Sequence, residues 1–218
     1  MRSVTILVAD DHELVRDGIK SRLEKQPGWK VCAVAANGRE AVELALRLRP
    51  DVVLMDVGMK ELNGLEAARQ ILKKCPAIAV LVLTLQESED LIREALTSGV
   101  RGYILKTDAA RLLTTAVEAL LAGKTFFTGI VSDVLLKEFL QPKGTAENVG
   151  GAVGRLTMRE REIVQLLAEG KTSKEIATRL GVSAKTIEAH RANVMRKLNL
   201  HSIAALVRYA VHNRIVEP

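Results

Sequence analysis

Two hydrophobic rhythms alternate along the first 122 or so residues. Short apolar runs occupy 4–9, 30–36, 52–55, 78–84 and 102–105. After each run, apolar positions recur at three- and four-residue spacing, which predicts helices over 12–26, 39–49, 64–74, 88–98 and 109–122. The second helix carries the stripe Ala41, Val42, Leu44, Ala45 and Leu48, the third Leu65, Ala68, Ile71 and Leu72, and the fifth Leu112, Leu113, Ala116, Val117, Leu120 and Leu121. Runs that are apolar at every position have no face for water. Joined by helices, they predict an α/β domain with a five-stranded parallel sheet covered on both sides.

The rhythm stops after Gly123. Residues 125–140 read as a turn and a short amphipathic helix, and QPKGTAENVGGAVG (141–154) has the Gly, Pro and polar character of a linker. A different pattern follows. Thr157 with Glu160, ahead of Ile163, Leu166 and Leu167, is a capping box opening a helix that ends near Gly170. Thr172 with Glu175 repeats the device for a helix over 173–180, buried through Ile176, Ala177 and Leu180. Gly181 and Val182 make a tight turn, Ser183 caps a helix over 184–199, and a last helix covers 202–213. Short helix, Gly-containing turn and longer helix is the helix-turn-helix pattern. The chain divides on this reading into a domain at 1–124, a short helix and linker at 125–154, and an all-α domain at 155–218.

Charge separates the two domains further. The net charge is +6. Residues 154–218 hold 12 Lys plus Arg against 6 Asp plus Glu, whereas the remainder holds 20 of each. The imbalance therefore belongs wholly to the second domain and points to a polyanion partner for it alone. With aromatics at 3%, stacking on single-stranded bases is unfavoured. No apolar stretch approaches the roughly 18 residues of a membrane span, and MRSVTILVADD enters a strand instead of a signal peptide, so a soluble cytoplasmic protein with no membrane partner is expected. Cys32 and Cys75 fit no metal or redox spacing, lie in apolar segments, and read as reduced core thiols. His12, His190, His201 and His212 form no cluster, so none is assigned as a metal ligand, and no organic cofactor is expected.

The candidate chemistry lies at one edge of the expected sheet. Asp10 and Asp11 follow the first run, Asp56 follows the third, and Thr84 and Lys106 follow the fourth and fifth. In a parallel sheet these strand ends share the C-terminal edge, so residues 96 positions apart can converge. Taken singly, an Asp pair is an ordinary helix cap and a Lys is ordinarily solvated; the shared edge is what makes a site. A carboxylate can attack phosphorus and form an acyl phosphate, but two anions must first approach. Mg2+ permits this with one or two carboxylates, a backbone carbonyl and waters, and Lys106 and the Thr84 hydroxyl can engage the remaining phosphoryl oxygens.

ILVADDHELVRDGI, VLMDVGM, VLTL and GYILK resemble the receiver domain of two-component response regulators over residues 4–122. The resemblance implies a doubly wound, flavodoxin-like fold and phosphate accepted on Asp56 from a sensor histidine kinase. It further implies Mg2+ held by Asp10, Asp11, Asp56 and the Gly58 carbonyl, and a switch through Thr84 and Tyr103. Two positions depart from the family. Lys60 stands where receivers usually have Pro, which frees φ in this loop. Thr107 stands where many receivers carry a cis Pro, which leaves the geometry of the Lys106–Thr107 bond open.

On a helical wheel of 184–199, Ile187, Val194 and Leu198 face one way with His190 and Arg191 on the flanks. Lys185, Ala189, Ala192 and Arg196 face the other way, with Glu188 beside them. Small residues allow close approach to base edges, Lys185 and Arg196 suit phosphate or guanine, and Glu188 can accept from cytosine. Lys174, Ser183 and Thr186, at helix N-termini, are placed for phosphate contacts.

The stretch from LTMREREIVQLL to NVMRKLNL is similar to the LuxR-type helix-turn-helix over about 155–214. This implies a four-helix domain whose third helix enters the major groove of double-stranded DNA. Its last helix is implied to pair two copies over a two-fold operator, with Ala204, Ala205 and Val207 as interface candidates. The whole resembles a NarL/FixJ-type response regulator: a transcription factor, not a metabolic enzyme, in which phosphorylation of Asp56 controls homodimerisation and sequence-specific DNA binding. Two other readings are a constitutive DNA-binding regulator whose receiver serves dimerisation without phosphate, and a magnesium-dependent aspartyl phosphatase. Against the last, Asp10 and Asp11 are adjacent where such enzymes separate the two by one residue.

Overall fold

The computed structural model describes residues 3–85, 89–128, 131, 156–213, 215 and 216. The chain forms two compact units, Met1–Pro142 and Lys143–Pro218. The first runs β1 (Val4–Ala9), α1 (Glu13–Leu23), β2 (Trp29–Ala35), α2 (Gly38–Leu48), β3 (Val52–Asp56), α3 (Gly64–Lys74), β4 (Ala79–Thr84), α4 (Glu89–Thr97), β5 (Gly102–Leu105), α5 (Lys106–Leu121) and β6 (Phe126–Phe127). The strand order is β2-β1-β3-β4-β5-β6 and every pairing is parallel. Because the chain winds outward in both directions from β1 and β3, their C-terminal ends form the crevice at the topological switch point.

Period-two alternation sorts the continuous apolar runs onto two faces. Leu7, Val53, Met55, Val80, Val82 and Tyr103 face a core shared with Ala41, Ala45, Leu65, Ala68 and Ile71 from α2 and α3. Ile6, Val8, Leu54, Leu81, Leu83 and Ile104 face a second core with Ile19 and Leu23 of α1 and Leu113, Ala116 and Val117 of α5. Burying each such aliphatic side chain stabilises by about 1.5–3 kcal/mol, so β3 and β4, buried at every position, anchor the sheet.

Among the described residues the sheet has six strands where the hydrophobic pattern predicts five. The two residues of β6 pair with Gly102 and Tyr103 but are too short to show a period. Of the turn and short helix expected over 125–140, Phe126 and Phe127 form β6 instead and Val131 is buried in the α2/α3-side core; residues 129–130 and 132–140 and the linker over 141–154 lie outside the described residues, as does Ser88. α5 begins at Lys106, three residues before the expected 109. Asp108 in its first turn suits the positive end of the helix dipole. No described peptide bond is cis, so Lys106–Thr107 is trans.

The second unit contains α6 (Met158–Ala168), α7 (Ser173–Leu180), α8 (Ala184–Lys197) and α9 (Ile203–His212). They surround Ile163, Val164, Leu166, Ile176, Ile187, Val194, Leu206 and Ala210. Both capping boxes form, through Thr157 with Glu160 and Thr172 with Glu175. Gly181 takes the left-handed turn between α7 and α8 at φ 66°. α8 ends at Lys197, two residues short of the expected 199, because Asn199 turns left-handed at φ 52° and Leu200 N–H donates back to Met195 at 2.8 Å.

Candidate metal centre and nucleic-acid interface

Asp56 is the last residue of β3, and Asp10 follows the last residue of β1, so neighbouring strands carry both carboxylates to the crevice. Both are buried. Lys106, at the start of α5, places Nζ 2.8 Å from Asp10 Oδ2 and 2.9 Å from Asp56 Oδ2. Thr84 ends β4 and is buried one register position beyond the Asp56–Leu83 pair. The structure thus brings Asp10, Asp56 and Lys106 into contact and sets Thr84 on the strand beside Asp56. Tyr103, on β5, is buried at 1% exposure with its ring on the inner side.

The loop after β3 is built by close backbone approach. Gly64 N–H donates to the Val57 carbonyl at 3.0 Å, and a Cβ on Gly64 would lie 1.7 Å from the Asp56 carbonyl oxygen. Likewise, a Cβ on Gly38 would lie 2.0 Å from the Leu62 carbonyl oxygen. Lys60, where the family usually has Pro, is exposed, and its carbonyl accepts from Leu62 N–H at 2.8 Å. The left-handed conformation falls on the next residue, Glu61, at φ 67°.

Electrostatics disfavour a bare carboxylate here. Burial, opposed by Lys106 and aided by the charges of Asp10 and Asp11, pushes Asp56 up to about 6. Burial works to lower Lys106, but the Asp56 charge and the hydrogen bonds to Asp10 and Asp56 hold it above its ordinary value. Three carboxylates against one ammonium leave negative charge uncompensated.

Ligand atoms of Asp10, Asp11, His12 and Asp56 all lie within 4.8 Å of one another. Asp10 Oδ2 and Asp11 Oδ1 are buried, and each faces a single nitrogen at 2.8 Å, Lys106 Nζ for Asp10 and His12 Nδ1 for Asp11. Buried anionic oxygens with spare lone pairs fit a hard divalent cation. Gly58, whose carbonyl the resemblance assigns to that cation, is half-buried in the same loop.

Two contributors to this site have no signal in the sequence pattern. Arg16 donates to the Asp10 carbonyl at 2.6 Å and pins the acidic turn from within α1. His12, which sequence reasoning left unassigned, sits with Nδ1 2.8 Å from Asp11 Oδ1. Adjacency to the Asp pair is the only cue for His12, and nothing in a helical period marks Arg16 as reaching back six residues.

In the second unit α8 buries Ile187 and Val194 and exposes Lys185, Thr186, Glu188, Ala189, Arg191, Ala192 and Arg196, with His190 half-buried on the flank. Ser183 accepts from Thr186 N–H at 3.1 Å, so its hydroxyl caps α8. Lys174 is exposed at the start of α7. Lys197 points away from this surface and pairs with Glu160 Oε2 at 2.8 Å, tying α8 to the cap of α6. Arg159 similarly joins α6 to the Leu180 carbonyl at 3.1 Å. Together these ties hold the exposed face of α8 on a fixed frame.

Known proteins combine both units. Residues 6–118 match the response regulator receiver domain, and residues 154–210 match the luxR family of bacterial regulatory proteins. The chain is 38% identical over 215 residues to the oxygen regulatory protein NreC of Staphylococcus epidermidis, covering 97% of this chain and 99% of that protein. It is 32% identical to the transcriptional regulatory protein DegU of Brevibacillus brevis, covering 96% and 94%. Among solved structures, the Salmonella typhimurium RcsB response regulator has a TM-score of 0.63 at 27% identity, covering 98% of this chain and 99% of that one. Among the described residues no helix is long and apolar enough to cross a membrane. With the receiver pocket at one sheet edge and a LuxR-type helix-turn-helix in the second unit, the chain belongs to the two-component response regulators of the NarL/FixJ type.

Proposed function

We propose that this protein is a cytoplasmic transcription factor whose DNA binding is controlled by phosphorylation of Asp56 by a sensor histidine kinase. The observation that carries the reading is the Lys106 ammonium bridging Asp10 and Asp56 within 3 Å in a buried, net-negative pocket. Asp10, Asp11, Asp56 and the Gly58 carbonyl would hold Mg2+, which supplies charge neutralisation between the carboxylate and the incoming phosphoryl group.

The chain's own residues do the rest. An Asp56 carboxylate oxygen forms the new bond to phosphorus while the P–N bond of the kinase's phosphohistidine breaks, the imidazole leaving and taking up a proton. Lys106 then exchanges its pairing with a carboxylate oxygen for one with a phosphoryl oxygen. The Thr84 hydroxyl donates to another, and its inward movement, coupled to Tyr103, is the switch. The energy for a population shift comes from contacts that exist only with the phosphoryl group present.

The output is read by α8 in the major groove of a two-fold operator. Lys185, Thr186, Glu188, Ala189, His190, Arg191, Ala192 and Arg196 form its surface, with Lys174 and Ser183 on phosphates. Homodimerisation would use Ala204, Ala205 and Val207. An open groove lined by Leu200, Ala205, Val207, Tyr209 and Val211 runs along that helix and supports the assignment. Two RcsB dimers bound to two parallel DNAs have been seen in the similar structure.

The test compares operator affinity of the phosphorylated protein and Asp56→Asn at equal concentration. The expected result is at least tenfold weaker binding by Asp56→Asn. Equal binding would contradict phosphorylation control and favour a constitutive regulator.

A further inference from the structure

We propose that His12 is a protein ligand of the cation in the acidic pocket. This receiver would then take a transition-metal ion such as Mn2+ through an imidazole nitrogen together with carboxylate oxygens. The inference rests on the reading of the pocket as a divalent-cation site and concerns which cation it prefers.

His12 occupies the N-cap position of α1 with extended backbone, φ −91° and ψ 111°, yet its side chain makes no capping hydrogen bond. A residue at this position ordinarily turns a side-chain acceptor onto the first turn of its helix. Here the ring turns toward the carboxylates, with Nδ1 2.8 Å from Asp11 Oδ1 and 3.5 Å from Asp10 Oδ1. The backbone N–H of His12 donates to Asp10 Oδ1 at 2.9 Å, and Arg16 fixes the Asp10 carbonyl, so the backbone beneath the ring is held on both sides.

The spacing suits a shared ion. Ligands about 2.1 Å from an octahedral cation stand roughly 3 Å apart along each edge, which is close to the separation of His12 Nδ1 and Asp11 Oδ1. Lys106 occupies the opposite side of the pocket, against Asp10 Oδ2 and Asp56 Oδ2, and leaves the His12 side open. The ring is 57% exposed, so water can complete the coordination.

Donor chemistry then sets selectivity. Mg2+ prefers oxygen and gains little from imidazole; imidazole suits Zn2+ and other later first-row ions best, and Mn2+, though it favours carboxylates, takes an imidazole alongside them more readily than Mg2+ does. His12 would therefore raise affinity for these ions while leaving Mg2+ nearly unaffected. Loss of even an outer-shell partner of a ligand typically costs about tenfold or more in metal affinity, and loss of a direct ligand should cost at least as much for the ion it suits.

The experiment uses the untagged full-length protein with one equivalent of MnCl2, read by electron spin echo modulation, alongside calorimetric titrations with MnCl2 and MgCl2. The expected result is a directly coordinated nitrogen in the wild type that disappears in His12→Ala. Mn2+ affinity should fall about tenfold in that variant, while Mg2+ affinity stays within twofold. Mn2+ binding with no nitrogen signal, a signal that survives in His12→Ala, or equal loss for both ions would overturn the proposal and leave the cation site standing. Neither ion binding, with Asp11→Asn indistinguishable from wild type, would overturn it together with the reading it rests on.

Discussion

Asp56 and Glu188 are both carboxylates on regular elements of one chain, and they are held in opposite ways. Asp56 ends a strand buried at every position and is surrounded by Lys106, Asp10 and Asp11, so that burial pushes it up to about 6. Glu188 lies exposed on α8 among Lys185, Ala189 and Ala192. The first residue is costly to the fold as an anion and waits for a partner that offsets the cost. The second costs the fold little and acquires meaning only against base edges. One region stores its function in a buried conflict of charges, the other in a rigid surface left open, and substitutions in the two should act on different observables.

The sharpest break is Gly64→Ala. Its new Cβ would meet the Asp56 carbonyl oxygen at 1.7 Å, and the obstacle is backbone. Loss of about 3 kcal/mol or more in urea unfolding of the first unit is expected. Ala189→Ser on exposed α8 should stay within about 0.5 kcal/mol while changing DNA affinity; comparable destabilisation by both would erase the distinction drawn here.

Next in size is Asp56→Asn in magnesium-free buffer. Removing a charge that burial, Asp10 and Asp11 all disfavour should stabilise the protein by about 1–2 kcal/mol despite the lost Lys106 pairing. A destabilised variant would mean that the Lys106 pair outweighs the conflict.

A smaller effect joins α6 and α8. Partial burial works to raise Glu160, but its hydrogen bonds with Lys197 and with the Thr157 N–H and side chain win and hold it below the ordinary carboxylate range. A lowered carboxylate contributes stability that is full above its unfolded value, about 4.3, and is lost as pH falls through the lower folded value. Lys197→Ala should therefore cost under about 1 kcal/mol at neutral pH and shrink the drop in stability below pH 4, seen in melting temperature against pH. An unchanged acid limb would remove the pair from the account.

The smallest effect on the fold is expected from Lys185→Ala. Stability should hold within about 0.5 kcal/mol, while the slope of log affinity against log salt falls by about 1. An unchanged slope would place Lys185 off the phosphate backbone.

Local periodicity carried most of what was legible in advance. The stripe of Ile187 and Val194 named the buried side of α8, and with it the exposed side, because a helix wheel needs only neighbours in sequence. The convergence of Asp10, Asp56, Thr84 and Lys106 was legible because a parallel sheet brings strand ends together whatever their separation. What escaped depends on contacts without a period. β6 is only two residues long, Arg16 reaches a main-chain carbonyl, and His12 turns its ring toward Asp11 instead of onto α1. Left-handed Asn199 shortens α8 by a preference that belongs to one residue.

The central claim is that Asp56 accepts a phosphoryl group in this pocket. The most direct measurement is intact mass after incubation with acetyl phosphate and Mg2+, followed by borohydride reduction and peptide mapping. A single phosphoryl increment that maps to Asp56 and is absent from Asp56→Asn is the expected result. No increment, or one that maps elsewhere and survives in Asp56→Asn, would contradict it.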